Sequence, residues 1–206
     1  ISSGTAICGG SAIAAVAPAI NAETDEITVS LGTVFVLNSV ALFLFPVIGH
    51  YLELTPNQFG IWSAIAIHDT SSVVGAAAAY GPEALIIATT VKLARALWIA
   101  PIALLFAFLY RKQNSESKAK VAIPWFILLF LAATAIRTYA PSIIIPSLFD
   151  SLVNIAKTGM TITLFLIGAS LSRKMLNKVG YWPLLQGVIL WIVISFVALW
   201  AVWNLL

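Results

Sequence analysis

ISSGTAICGGSAIAAVAPAI, residues 1–20, is apolar enough for a membrane yet carries Gly4, Gly9, Gly10 and Pro18. It makes a poor uninterrupted helix. A glycine pair followed by Ser11 predicts a helix that stops near Cys8, crosses a short unwound turn and restarts with Ser11 as N-cap. In a bilayer, irregular backbone persists only where protein or a watery cavity surrounds it, and transporters use such broken helices to hold substrate near the midplane. A restart at Ser11 would point free N–H groups and a positive dipole end into that cavity, a setting that favours an anion.

The rest of the chain fits a membrane setting. Of its 206 residues 61% are hydrophobic and 9% charged, and the mean hydropathy is +1.00. A soluble domain carries about 25% charged residues, so this composition excludes one. The apolar runs are too long for alternating barrel strands. Cys8 is the single cysteine, which rules out an internal disulfide framework and CxxC metal spacing. The net charge of +3 is scattered, and no nucleic-acid partner, cofactor or metal is expected.

Spans of about 20 apolar residues divide the chain into seven crossings, an all-α polytopic membrane protein with residues 1–206 as one transmembrane domain. The first is the broken stretch, closed by the acidic loop Asn21 to Glu26. The second runs from Ile27 to Val47 with Asn38 and Ser39 as interior polar residues. The third, Gln58 to Tyr80, is interrupted by His68-Asp69-Thr70-Ser71-Ser72 and is the second predicted break. The fourth, from Pro82 to Tyr110, holds Lys92 and Arg95; the fifth runs from Ile123 to Tyr139 with Arg137 near its end. A sixth is expected to start at Ser147, with Asp150 completing a capping box, and to reach Ser172 with Lys157 inside it. The last is Pro183 to Leu206.

Seven of the eleven basic residues fall in two loops, at Arg111, Lys112, Lys118 and Lys120 and at Arg173, Lys174 and Lys178. Both loops are cytoplasmic under the positive-inside rule, and the acidic loop at Glu23, Asp25 and Glu26 is then external. The other four, Lys92, Arg95, Arg137 and Lys157, lie inside spans with Asp69 as the one acid. Each such charge costs about 2.5–3.5 kcal/mol, a total on the order of 10 kcal/mol that needs a reason. Lys92 and Arg95, three apart, share a helix face and make a double positive site. Either one pairs with Asp69 while the others snorkel, or a transported anion supplies the missing countercharge.

His68 and Asp69 diverge by about 100° on a helix and cannot pair directly. They are read as a gating element or a proton-coupling element. Ser71, Ser72 and Ser11 are equally read as backbone-bonding hydroxyls, Cys8 as a small packing residue, and Trp191, Trp200 and Trp203 as an interfacial belt.

Three strings then carry a resemblance: GTAICGGSAIAAVAPAI at Gly4–Ile20, FGIWSAIAIHDTSSVVGAA at Phe59–Ala77 and VKLARALWIAPIAL at Val91–Leu104. They resemble the YeiH family of bacterial inner-membrane proteins, described as sulfate exporters. Members carry further helices before the GTAICG motif, so the resemblance implies a chain lacking the opening part of its domain. The family is similar to the superfamily of cation/proton antiporters and anion transporters, built from two inverted repeats of five helices with a broken helix in each. That likeness implies a partner for the first break in the sixth span, around Lys157 to Thr161. Asp69 stands at a variable position of the family, where other members can carry Glu.

The reading is a secondary transporter of a small anion, sulfate-like or a sulfonate, in the bacterial inner membrane. Gly9, Gly10 and Ser11 are expected to supply unwound backbone, Lys92, Arg95 and Lys157 the positive field, and His68 with Asp69 coupling to protons or sodium. A homo-oligomer is a further expectation. Two alternatives stand beside it: a cation/proton antiporter using Asp69, and a membrane-embedded enzyme using Cys8 or His68, for which no nucleophile, base and orienter assemble from spacing.

Overall fold

A computed structural model describes residues 1–110 and 179–206, and between them positions 129, 132–133, 135–136, 151–156, 158–159, 162 and 165–166. The described residues are helical, with no β-strand among them. The elements are α1 (Ser2–Ala6), α2 (Gly10–Val16), α3 (Thr24–Tyr51), α4 (Pro56–Ala66), α5 (Thr70–Tyr80), α6 (Pro82–Ala96), α7 (Ile99–Leu109) and α8 (Tyr181–Leu205). Among the described residues, three continuous stretches are long and apolar enough to cross a membrane: Thr24–Tyr51, Pro82–Leu109 and Tyr181–Leu205. The expected fifth and sixth spans, with Arg137, Lys157 and the Ser147–Asp150 capping box, and the two basic loops fall outside the described residues or nearly so.

Both predicted interruptions are present. α1 ends at Ala6 and α2 begins at Gly10. Gly9 sits at φ 63°, ψ −120°, a conformation that a side chain makes costly. The restart therefore comes earlier than expected. Gly9, not Ser11, is the N-cap of α2, and Ser11 is an exposed residue of its first turn. The second interruption spans Ile67 to Asp69, between α4 and α5, with Ile67 and Asp69 both extended.

Local chemistry sets the other boundaries. α3 opens on a reciprocal capping box in which Glu23 N–H donates to Glu26 Oε2 at 2.9 Å. α4 opens on another: Gln58 N–H donates to Thr55 Oγ1 at 3.2 Å, Thr55 N–H donates to Gln58 Oε1 at 3.0 Å, and Pro56 occupies the first helical position. Such a box satisfies two orphan donors, and proline has no N–H to leave unpaired there. α3 runs through Pro46 to Tyr51, further than the sequence indicates. Between α6 and α7 the chain tightens, with Leu97 N–H donating to Ala94 O and Trp98 N–H to Arg95 O.

Helix packing in a bilayer depends on close backbone approach, since lipid is as apolar as leucine. α8 meets α3 at Gly187, where an added Cβ would stand 2.5 Å from Thr33 Cγ2. It meets α4 through Trp62, whose Nε1–H donates to Ser195 O at 3.0 Å. At one end of this cluster aromatic rings stack in series: His50 on Tyr80 at 4.3 Å, Tyr80 on Phe59 at 3.8 Å, and Phe45 on Trp62 at 4.4 Å. The Tyr80 hydroxyl donates to Leu54 O, which fixes the α3–α4 turn against α5.

Candidate functional site at two crossed helix breaks

The two interruptions lie against each other. A Cβ on Gly9 would come within 3.3 Å of the carbonyl carbon and oxygen of His68, and within 3.0 Å of Val34 Cγ1 on α3. No side chain fits between them. Here the backbones of both broken segments nearly touch, with α3 behind them.

A helix that stops inside a membrane leaves carbonyl oxygens without partners and a partial negative charge of roughly half an electron. α6 supplies the compensation. Arg95 donates from Nε and Nη2 to Ala6 O at 3.0 and 2.6 Å and from Nη2 to Thr5 O at 3.1 Å, at the end of α1. The same guanidinium donates from Nη1 to Ile65 O at 2.5 Å and to Ala64 O at 3.3 Å, at the end of α4. Lys92 is fully buried. Its Nζ donates to Ile67 O at 2.7 Å and to Ala64 O at 3.3 Å. The two charges three residues apart do share a face, as the spacing indicates, and both are directed at helix ends.

This arrangement changes the charge accounting. Of the two alternatives, pairing with Asp69 is not what Lys92 and Arg95 do, because the oxygens they reach are main-chain carbonyls. Asp69 caps α5 instead: its Oδ2 accepts from Ser71 N–H at 3.1 Å, from Ser72 N–H at 3.4 Å and from the Ser71 hydroxyl. Cys8 is buried among Ile7, Ala12, Ala96 and Ile99, the environment of a packing residue.

His68 is the side chain that the surroundings leave unsatisfied. It is fully buried, and among the described residues neither Nδ1 nor Nε2 has a hydrogen-bond partner. Its backbone N–H donates to Asn38 Oδ1 at 3.0 Å. A backbone donor identifies the amide oxygen without ambiguity, so Asn38 Nδ2 is directed elsewhere; it too is buried and unpartnered. Asn38 is legible in the sequence as an amide in the middle of an apolar span, but its tie to the second break is not. Thr5 Oγ1, beside the first break, is likewise buried without a partner.

The structure thus brings together Gly9, His68, Lys92 and Arg95, with Asp69 one residue beyond the break and Asn38 from α3. Gly10 is half-buried at the start of α2, Ser11 is exposed, and Lys157 lies outside the described residues. A cavity of about 210 Å³ beside Ile13, Glu26 and Ser30, and another of about 400 Å³ beside Phe45, Trp62 and Trp191, do not reach the crossing. Among the described residues no cluster of three or more His, Cys, Asp or Glu side chains has the makings of a metal site.

A family model described as conserved hypothetical protein 698 matches residues 1–187. A UPF0324 membrane protein of Bacteroides thetaiotaomicron is 56% identical over 195 residues, covering 95% of this chain and 58% of the relative. One from Vibrio parahaemolyticus is 57% identical over 196 residues, covering 95% and 63%, and one from Bdellovibrio bacteriovorus is 55% identical over 204 residues, covering 98% and 62%. The chain therefore spans about 60% of the length of the relatives it matches. No solved structure matches it. With its apolar helices and these bacterial membrane relatives, the chain belongs to the family described as conserved hypothetical protein 698, the UPF0324 or YeiH family of multi-pass bacterial inner-membrane proteins.

Proposed function

We propose that the protein is a secondary transporter that moves a small anion, sulfate-like or a sulfonate, across the cytoplasmic membrane. The observation that carries this reading is the crossing of two interrupted helices at Gly9 and His68 inside an apolar bundle. Irregular backbone at membrane depth is a costly feature that transport folds use to build a site. Two cations, Lys92 and Arg95, stand behind the crossing. Their charge is largely offset by the ends of α1 and α4, so surplus positive charge is a weaker argument for an anion than it is from sequence alone. Unpartnered donors at Asn38 and His68 support a ligand with acceptor oxygens.

On this reading the two broken segments, the three long helices and the stretches around 123–139 and 147–172 make seven crossings, part of an inverted-repeat fold. His68 and Asp69 would belong to a proton- or sodium-coupling element, and a homo-oligomer would be its working form. The test is efflux of labelled sulfate and, separately, of labelled sulfonates from proteoliposomes holding the full-length protein, with unlabelled sulfate, sulfonates and chloride as competitors, with and without a pH gradient. Saturable efflux blocked by one of these anions is expected. Folded protein that passes none of them under any gradient would overturn the proposal. Sodium-dependent proton flux without anion dependence would favour an antiporter acting through Asp69.

A further inference from the structure

We infer that Asn38 and His68 form the ligand-contacting pair of the crossing, and that their ligand is a small oxyanion that also carries a hydroxyl or ammonium donor. The inference rests on the transport reading for its setting but on separate observations for its chemistry. Buried polar atoms in native proteins are nearly always hydrogen-bonded, so each orphan calls for a partner. Among the described residues, three orphans sit on two residues joined by one hydrogen bond: Asn38 Nδ2, His68 Nδ1 and His68 Nε2.

The donor and acceptor inventory sets the ligand. An amide nitrogen offers two N–H donors and no acceptor. An uncharged imidazole offers one N–H donor and one acceptor lone pair. Anionic oxygens satisfy the donors, and the lone pair is satisfied only by a ligand O–H or N–H. Chloride and sulfate provide acceptors alone and would leave that nitrogen unpaired, at a cost that makes hydrogen-bonding sites selective. Lys92 Nζ, bound to the carbonyl of Ile67 next to His68, adds a positive field without donating directly to the ligand. Both side chains are closed off in this arrangement, so entry requires the packed helices to part.

The test uses a matched pair of anions of equal charge, 2-hydroxyethanesulfonate and ethanesulfonate, which differ by one hydroxyl. The chain has two histidines, His50 and His68. Full-length protein in nanodiscs, labelled with 15N in the imidazole, gives the ring signals, and the set that disappears in His68→Gln is assigned to His68. The hydroxylated sulfonate is expected to shift the His68 signals at least tenfold more effectively than its counterpart. Asn38→Asp keeps the oxygen that accepts from His68 N–H and removes both donors, and is expected to lower the affinity at least tenfold while the protein stays folded.

Equal shifts from both sulfonates, no shift from either, or unchanged affinity in folded Asn38→Asp would each overturn the inference. His68 shifts together with no flux in liposomes would retain this pair and overturn transport. Anion flux with a silent His68 would do the reverse.

Discussion

Replacing Arg95 by methionine removes the guanidinium and keeps the length of the chain. Five hydrogen bonds disappear, three of them at 3.0 Å or less: to Ala6 O from Nε and from Nη2, and to Ile65 O. At about 1.5 kcal/mol for each well-formed bond from a charged donor, those three come to about 4–5 kcal/mol. The carbonyls of Thr5, Ala6 and Ile65 lose their charged partner, and the negative ends of α1 and α4 lose their shared countercharge. Unfolding free energy of the full-length protein, followed by denaturant titration in detergent, is expected to fall by about 4 kcal/mol. Arg95→Lys should lose about half as much, because one ammonium cannot span both helix ends. A methionine variant within about 0.5 kcal/mol of the parent, the range of ordinary surface changes, would refute the view that this side chain holds the breaks together.

Further substitutions test the neighbouring features by the same titration. Gly9→Ala meets a positive φ and a 3.0 Å contact with Val34, and should cost about 1–3 kcal/mol. Asp69→Ala should cost about 1 kcal/mol as a lost N-cap while Asp69→Asn stays close to the parent; loss of flux in a stable Asp69→Asn protein would show that the carboxylate does more than cap. Gly187→Ala drives a methyl against Thr33 and should cost about 1–3 kcal/mol. Combining it with Thr33→Ala should recover most of that loss, and additive losses would place the α3–α8 contact elsewhere.

Both helix interruptions are legible in the sequence because their causes are local: a glycine pair in one span, and a polar run at His68–Ser72 in the other. Where the second helix restarts is less so. Ser11 has the chemistry of a cap, but the turn closes at Gly9 because only glycine enters that conformation cheaply, and the helix is under way before Ser11 is reached. The Thr55-Pro56-Asn57-Gln58 start of α4 is equally local and readable, although the apolar pattern alone places the span start at Gln58. The use of Lys92 and Arg95 is a tertiary matter. Their spacing gives a shared face, but which oxygens that face meets depends on two helix ends 25 to 90 residues away in sequence. For the same reason the amide of Asn38 reads only as a polar residue in an apolar span. The likeness that pairs the first break with the Lys157 region concerns a segment mostly outside the described residues, whereas within them the break lying against Gly9 is the one at His68.

Arg95 is tied at once to oxygens of Thr5 and Ala6 and of Ala64 and Ile65. Neither interrupted segment can slide along the bilayer normal or tilt alone without rupturing charged contacts in an apolar medium. The pair is coupled as a single carriage, with the last turn of α6 as its axle. A cycle that exposes the crossing first to one side of the membrane and then to the other would have to carry both segments together past their neighbours.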